Sequence, residues 1–268
     1  MAIAKSPLVP ITLVRSILLA MPTPERQTTD SSDDRWAIRV TDDASLTLVD
    51  RRSGDSMHSG CGAAAETDHV YLINSGLVHR FAASLPTRVL EIGLGTGLAC
   101  LRTAQASVAS NGSTEYVAIE IEPIPASVMR QLRWEQQNVA PEHVERLADC
   151  LKKIGESIEA TIHLHERFQL TIHRVDALLW LGCSGAYFDA IYFDPYSPQS
   201  CPALWSDAML QKMRNVLKHD GRLVSYCVNR QVRDTLQRVG FACQRVPGPA
   251  GGKREVLIAT VVNRSETH

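Results

Sequence analysis

Apolar and polar positions along the chain follow two alternating rhythms. Residues 36–50 (WAIRVTDDASLTLVD) alternate on either side of a polar turn at Asp42-Asp43-Ala44, which predicts a β-hairpin. Residues 66–84 set Val70, Ile73, Leu77 and Phe81 at helical spacing. A short apolar strand, Arg88–Ile92, then runs into Gly93-Leu94-Gly95-Thr96-Gly97, and a helix is expected over Leu98–Ala109. The rhythm repeats. Strands are expected at Glu115–Glu120, Phe168–Val175, Ala190–Phe193 and Arg222–Cys227, with terminal strands at Phe241–Val246 and Arg254–Val262. Helices are expected at Ser127–Asn138, 142–159, Ala203–Leu217 and Val232–Val239, with a turn at Asp220-Gly221. The alternation of His163 and His165 suits a strand edge. Strands alternating with helices from residue 88 onward argue an α/β fold with a mostly parallel sheet, preceded by a small N-terminal β-hairpin segment.

Composition narrows the picture. The chain has 268 residues, 44% hydrophobic and 21% charged, so a packed domain is expected and wholesale disorder is excluded. Seven scattered cysteines without a CxxC pair argue against a disulfide framework or a zinc site, and no HExxH occurs, so no metal is expected. Residues 3–21 loosely resemble a signal peptide, but Pro7, Pro10 and Arg15 interrupt them and Ser16–Met21 is too short to span a bilayer. The expected organisation is a flexible leader and linker over 1–35, a hairpin and helix segment over 36–84, and one main domain over 85–263. No membrane association is expected.

The net charge of -1 lacks the signature of a strongly basic nucleic-acid binder. Its distribution is uneven. Residues 207–268 hold eleven basic against five acidic side chains, a local +6, which leaves -7 on residues 1–206. A basic C-terminal part suits phosphate contacts.

Parallel sheets bind ligands beyond the carboxyl ends of their strands, so the strand-end residues carry the chemistry. Glycines in Gly93-Leu94-Gly95-Thr96-Gly97 permit a tight turn and close approach of the backbone to a ligand. The GxGxxG of dehydrogenases is absent, since Leu98 stands at its last glycine, and no P-loop pattern occurs. Glu91, just before the loop, suits a cationic ligand such as the sulfonium and amino group of S-adenosylmethionine. Glu120 ends the next strand, where a carboxylate accepts ribose hydroxyls; Glu122 is the alternate. Asp176 ends the following strand, at the place where an adenine amino group is bound. Asp194-Pro195-Tyr196-Ser197-Pro198 resembles the [DNS]PP[YFW] loop of amino-group methyltransferases. There a carboxylate orients an amine lone pair and an aromatic face helps hold a cation. These four signals in order point to a class I, Rossmann-like S-adenosylmethionine-dependent methyltransferase.

A more specific resemblance covers about residues 38–262. Thr41–Leu48 (TDDASLTL) is similar to a family pattern TxDGSxTL, and His58–Tyr71 (HSGCGAAAETDHVY) to HSxxGAxxExxHVF. Leu90–Ala99, Asp194–Trp205 (DPYSPQSCPALW), Arg230–Phe241 and Gly252–Glu255 follow in the family's order. Together they resemble the methyltransferase domain of the bifunctional tRNA 5-methylaminomethyl-2-thiouridine biosynthesis enzymes (MnmC) and its stand-alone form, MnmD. The resemblance implies methylation of an aminomethyl group on the wobble uridine of tRNA, in the cytoplasm. It implies Asp194 as the catalytic carboxylate, with Tyr196 beside it. Glu91, Gly93, Gly95, Thr96, Gly97, Glu120 and Asp176 are then expected to hold S-adenosylmethionine. His58, Ser59 and Glu66 are expected to line the substrate side, or to fasten the hairpin, and Lys253 and Arg254 to meet phosphate or close over substrate. Three positions depart from the pattern: Pro195 replaces a glycine, Cys201 an asparagine and Ala44 a glycine. No FAD-binding oxidoreductase pattern follows, so only the methyl step is expected. Two alternatives stay open: another amine as acceptor, or an inactive module that binds S-adenosylmethionine.

Overall fold

The computed structural model describes residues 26–180, 187–249 and 251–262. The leader expected over residues 3–21 lies outside them. Two sheets organise the chain. The first is antiparallel, with order β1-β2-β3, from β1 (Thr28–Asp30), β2 (Trp36–Val40) and β3 (Leu46–Asp50). Thr28 pairs with Arg39 and Asp30 with Ala37, so the flexible leader and linker expected over 1–35 is corrected in part: residues 28–30 add a strand to the hairpin. At the hairpin turn Ala44 adopts φ +64°, a left-handed conformation that favours glycine, which explains the glycine in the family pattern. The Asp43 carboxylate compensates by accepting from the Ser45 amide at 3.0 Å and the Thr41 hydroxyl at 2.7 Å.

The segment expected as one helix over 66–84 is three pieces: α1 (Ala63–Thr67), a π-helical stretch Asp68–Ile73, and α2 (Leu77–Ala82). The wider π turn rotates Ile73 off the packed face, leaving it 53% exposed while Val70 and Leu77 are buried.

Among the described residues the main sheet has eight strands in the order β10-β11-β9-β8-β4-β5-β7-β6. Its five central strands are parallel: β4 (Thr87–Ile92), β5 (Thr114–Ile119), β7 (Phe168–His173), β8 (Phe188–Phe193) and β9 (Leu217–Ser225). Antiparallel strands β6 (Glu159–His165), β10 (Phe241–Pro247) and β11 (Glu255–Val261) complete the edges. The order reverses at β4. β5 and β7 are added on one side and β8 and β9 on the other, so a crevice opens at the carboxyl ends of β4 and its neighbours.

Period-two alternation sends side chains to two cores. Val89 and Tyr192 join the layer of α3 (Leu98–Ser107) and the later helix α5 (Pro141–Glu156). Leu90, Ile92, Ile191 and Phe193 join that of α6 (Asp207–Val216) and α7 (Arg230–Arg238).

Three expectations are corrected here. The helix over Ser127–Asn138 is a short α4 (Ala126–Met129) followed by a 3-10 turn at Trp134–Gln137, because Arg133 and Asn138 take positive φ. The helix over 142–159 stops at Glu156, and β6 follows as an additional edge strand bulged between His163 and His165. Asp220-Gly221 lies inside β9. There a register shift inserts residues between the Phe188–Leu217 and Ala190–Arg222 pairs, and Lys218 reaches the buried Asp189 at 2.7 Å.

Candidate active site

The carboxyl ends of β4, β5, β7 and β8 converge on a cavity of 560 Å³, closed on its far side by the segment from Asp55 to Tyr71. Alternation along β4 explains Glu91. Leu90 and Ile92 enter one core, so Glu91 must enter the opposite layer, beside Tyr116. It is 1% exposed, and its Oε2 has no hydrogen-bond partner. Burial pushes its pKa well above the usual carboxylate range; the Tyr116 hydroxyl opposes this, and Asp194 and Glu120 add to it.

The loop after Glu91 is shaped by contact with its neighbour. Gly93 has φ +91°, and a Cβ there would lie 2.8 Å from the Asp194 carbonyl oxygen. The Asp194 amide in turn donates to the Ile92 carbonyl at 3.1 Å. Gly95 lines the cavity and donates its amide to Glu120 Oε2 at 3.3 Å. Thr96 also lines it, and its hydroxyl accepts from the Leu98 amide at 3.3 Å. Gly97 does not line the cavity. It precedes α3 with φ +84°, where a Cβ would sit 2.5 Å from Leu147 Cδ2, so packing against α5 accounts for the glycine.

Glu120 turns toward the loop: Oε1 accepts the Glu122 amide at 3.0 Å, while burial raises its pKa against these backbone donors. The alternate, Glu122, is engaged elsewhere, 2.5 Å from Arg35 Nη1. Arg35 also bonds the buried Asp50 at 2.8 Å and lies over the Trp36 ring, so it ties the small sheet to the end of β5. Asp176 lines the cavity with Oδ1 accepting the Leu178 amide at 2.8 Å.

Asp194 lines the same cavity, one residue past the end of β8. Burial pushes its pKa up to about 8; the Tyr71 hydroxyl opposes the rise, Glu66 adds to it and Lys253 counters it. Tyr196 is 37% exposed at the rim, with burial raising its phenol to about 12. The Tyr196 carbonyl accepts the Trp205 indole N–H at 2.9 Å, which pins the loop after Asp194.

Residues from the N-terminal segment face this carboxylate. The Ser59 amide donates to Glu66 Oε2 at 2.8 Å, and Glu66 is 6% exposed. His58 lines the cavity, but its amide and Nδ1 both meet the Thr47 hydroxyl, which fastens this segment to β3. Burial lowers the His58 pKa. Lys253 lines the cavity; Arg254 does not, and is exposed.

Among the lining residues that escaped the sequence reading are Tyr71, Tyr226 and Arg35. Tyr71 closes the HSGCGAAAETDHVY motif, and Tyr226 follows β9 at its carboxyl end, so both carried a signal. Arg35 lies before the expected start of the ordered region. Among the described residues, no group of three or more His, Cys, Asp and Glu is placed to hold a metal ion. Buried carboxylates with raised pKa values, one with an orphaned oxygen, fit a cationic guest. The sulfonium and amino group of S-adenosylmethionine supply that charge.

Comparison with known proteins agrees with this chemistry. A family model described as S-adenosyl-L-methionine-dependent methyltransferase matches residues 140–262. The tRNA 5-methylaminomethyl-2-thiouridine biosynthesis bifunctional protein MnmC of Burkholderia thailandensis is 30% identical over 225 residues, covering 81% of this chain and 34% of that protein. The protein of the same name from Pseudomonas aeruginosa is 34% identical over 221 residues, covering 79% and 33%. The chain thus spans about a third of the length of the curated relatives it matches. The crystal structure of MNMC2 from Aquifex aeolicus shares the fold, with a TM-score of 0.68 at 20% identity, covering 93% of this chain and 81% of that one.

Proposed function

Since the chain belongs to the S-adenosyl-L-methionine-dependent methyltransferases related to MnmC, we propose that it methylates the aminomethyl nitrogen of wobble 5-aminomethyl-(2-thio)uridine in tRNA. Its cofactor is S-adenosyl-L-methionine, which supplies a methyl group on a sulfonium sulfur. In this reading residues 85–263 form the methyltransferase domain and residues 36–84 build the acceptor side. Glu91 takes the cofactor's amino group, and the backbone of Gly93, Gly95 and Thr96 lies against it. Glu120 takes the ribose hydroxyls and Asp176 the adenine amino group. Gly97 acts only through packing.

The observation that carries the reading is the position of Asp194, at the end of β8, against Gly93 and inside the cavity, with a pKa of about 8. In its ionised form such a carboxylate accepts a proton from the amine and aims the freed lone pair along the transfer line. Tyr196 screens the rim, and Tyr71 lines the cavity. His58, Ser59 and Glu66 bound the acceptor side. Arg254 and the exposed Arg230 fit contacts to tRNA phosphates, and a tRNA substrate sets the reaction in the cytoplasm. Among the described residues no helix is long and apolar enough to cross a membrane.

The test is mass spectrometry of nucleosides from tRNA carrying the aminomethyl uridine, after incubation with protein and S-adenosylmethionine. A gain of one methyl on that nucleoside, lost with Asp194→Ala while cofactor still binds, is expected. An unmodified nucleoside beside methylation of another amine would point to a different acceptor, for which Pro195 and Cys201 reshape the loop.

A further inference from the structure

Lys253 belongs to the connection between β10 and β11, away from the strands that carry the carboxylates, yet its side chain turns into the cavity. Its Nζ lies 3.7 Å from the centroid of the Tyr226 ring and 3.8 Å from Glu66 Oε1. Both partners are held in place. The Tyr226 hydroxyl donates to the Pro195 carbonyl at 2.9 Å, and the Ser59 amide donates to Glu66 Oε2 at 2.8 Å. The connection is closed at its base by the Gly248 amide, which donates to the Arg254 carbonyl at 2.9 Å. A fixed cage therefore receives a flexible guest. An aromatic face beside a buried carboxylate recognises alkylammonium groups, because the ring quadrupole and the negative charge attract the same cation.

We propose that Tyr226, Glu66 and Asp194 form an alkylammonium subsite for the acceptor amine, which Lys253 fills as an internal stand-in in the free enzyme. The inference rests on the reading of Asp194 as the residue that meets the acceptor. Methyl transfer moves positive charge from sulfur to nitrogen, and a lysine ammonium left in the cage would repel it. Acceptor entry therefore displaces the Lys253 side chain, and an acceptor must arrive as its own ammonium to do so; one N–H proton then passes to the ionised Asp194, and the neutral amine attacks the methyl carbon as the bond to sulfur breaks. A hydroxymethyl group of the same shape offers no charge to exchange, so the cage selects amines over alcohols. Occupancy by Lys253 lowers the apparent affinity for the amine by the fraction of time the cage is free.

Benzylamine, an aminomethyl group on a flat ring, serves as the probe. It is titrated by calorimetry into the full chain loaded with S-adenosylhomocysteine. If Lys253 fills the cage about nine-tenths of the time, Lys253→Met binds benzylamine about tenfold more tightly than the unsubstituted protein. Benzyl alcohol shows no such gain, and Tyr226→Leu abolishes benzylamine binding. Unchanged or weaker binding to Lys253→Met overturns the stand-in role. Equal affinity for benzylamine and benzyl alcohol, or no saturable binding of benzylamine to Lys253→Met, overturns the subsite. Cofactor binding is measured on every variant as the check of folding; if Lys253→Met loses it, Lys253→Gln carries the same comparison. Failure of the tRNA assay with benzylamine binding intact would count against the tRNA acceptor alone.

Discussion

Asp194→Asn separates what the carboxylate does for catalysis from what it does to stability. Burial raises the Asp194 pKa from 3.8 to about 8, with Glu66 adding to the rise and Tyr71 and Lys253 opposing it. The folded chain therefore binds this proton more tightly than the unfolded chain does between about pH 4 and pH 8. Where the native state holds more protons, stability falls as pH rises. The favourable contribution is complete below about pH 4 and is lost as pH climbs through about 8. At about 1.4 kcal/mol per unit, a shift of about four units sets a ceiling of roughly 6 kcal/mol. Water entering the open cavity screens the charge, and an effective dielectric near 20 brings the cost at alkaline pH to about 2 kcal/mol.

Asparagine keeps the shape and the acceptor oxygen without the charge. Asp194→Asn is thus expected to melt at the same temperature as the unsubstituted protein near pH 3 and about 4–8 °C higher at pH 9, without cofactor. Methyl transfer by the same variant is expected to fall by about 10²–10⁴-fold. Differential scanning fluorimetry at pH 3, 7 and 9 reads the first effect, and a radiolabelled methyl assay reads the second. Equal melting temperatures at pH 9, or a less stable variant, would refute the argument that burial strains this carboxylate.

Gly93→Ala puts a Cβ 2.8 Å from the Asp194 carbonyl oxygen at a left-handed φ, so calorimetry is expected to show at least a tenfold loss of cofactor affinity. Gly155→Ala, where a Cβ meets nothing within 4 Å in α5, is the control and should gain about 0.5–1 kcal/mol of stability. Arg35→Met strands Asp50, whose side chain is 6% exposed, and releases Glu122. Urea denaturation is expected to show a loss of about 3 kcal/mol, with faster hydrogen exchange over residues 36–50. An unchanged exchange pattern would show that Arg35 does not clasp the small sheet to the main one.

The sequence was most legible where local chemistry and long-range packing asked for the same thing. Glu120, Asp176 and Asp194 each follow a run of strand residues, and Glu91 is the second-last residue of β4, so their place at the carboxyl ends of the strands could be read from the strand pattern. The helical segments were less legible because apolar spacing does not report the backbone's local pitch. Val70, Ile73 and Leu77 satisfy a 3.6-residue rhythm, yet the π stretch and the Gly76 turn at φ +83° send Ile73 outward. Thr28–Asp30 sits in a polar segment and is exposed, so it is a strand only because β2 offers it a free edge.

Gly97 and Lys253 are the more instructive cases. A glycine in a nucleotide-type loop reads as ligand contact, but here the missing side chain makes room for Leu147 from a helix some fifty residues away. Lys253, on a terminal hairpin, is expected from the sequence to meet phosphate or close over substrate, and the fold carries it over Tyr226 to Glu66, which lies far earlier in the chain. In both, the residue's partner is fixed by topology and not by neighbours in sequence. The cage around Lys253 could not be derived before the sheet order brought β9, the β10–β11 connection and the N-terminal segment to the same edge of the crevice.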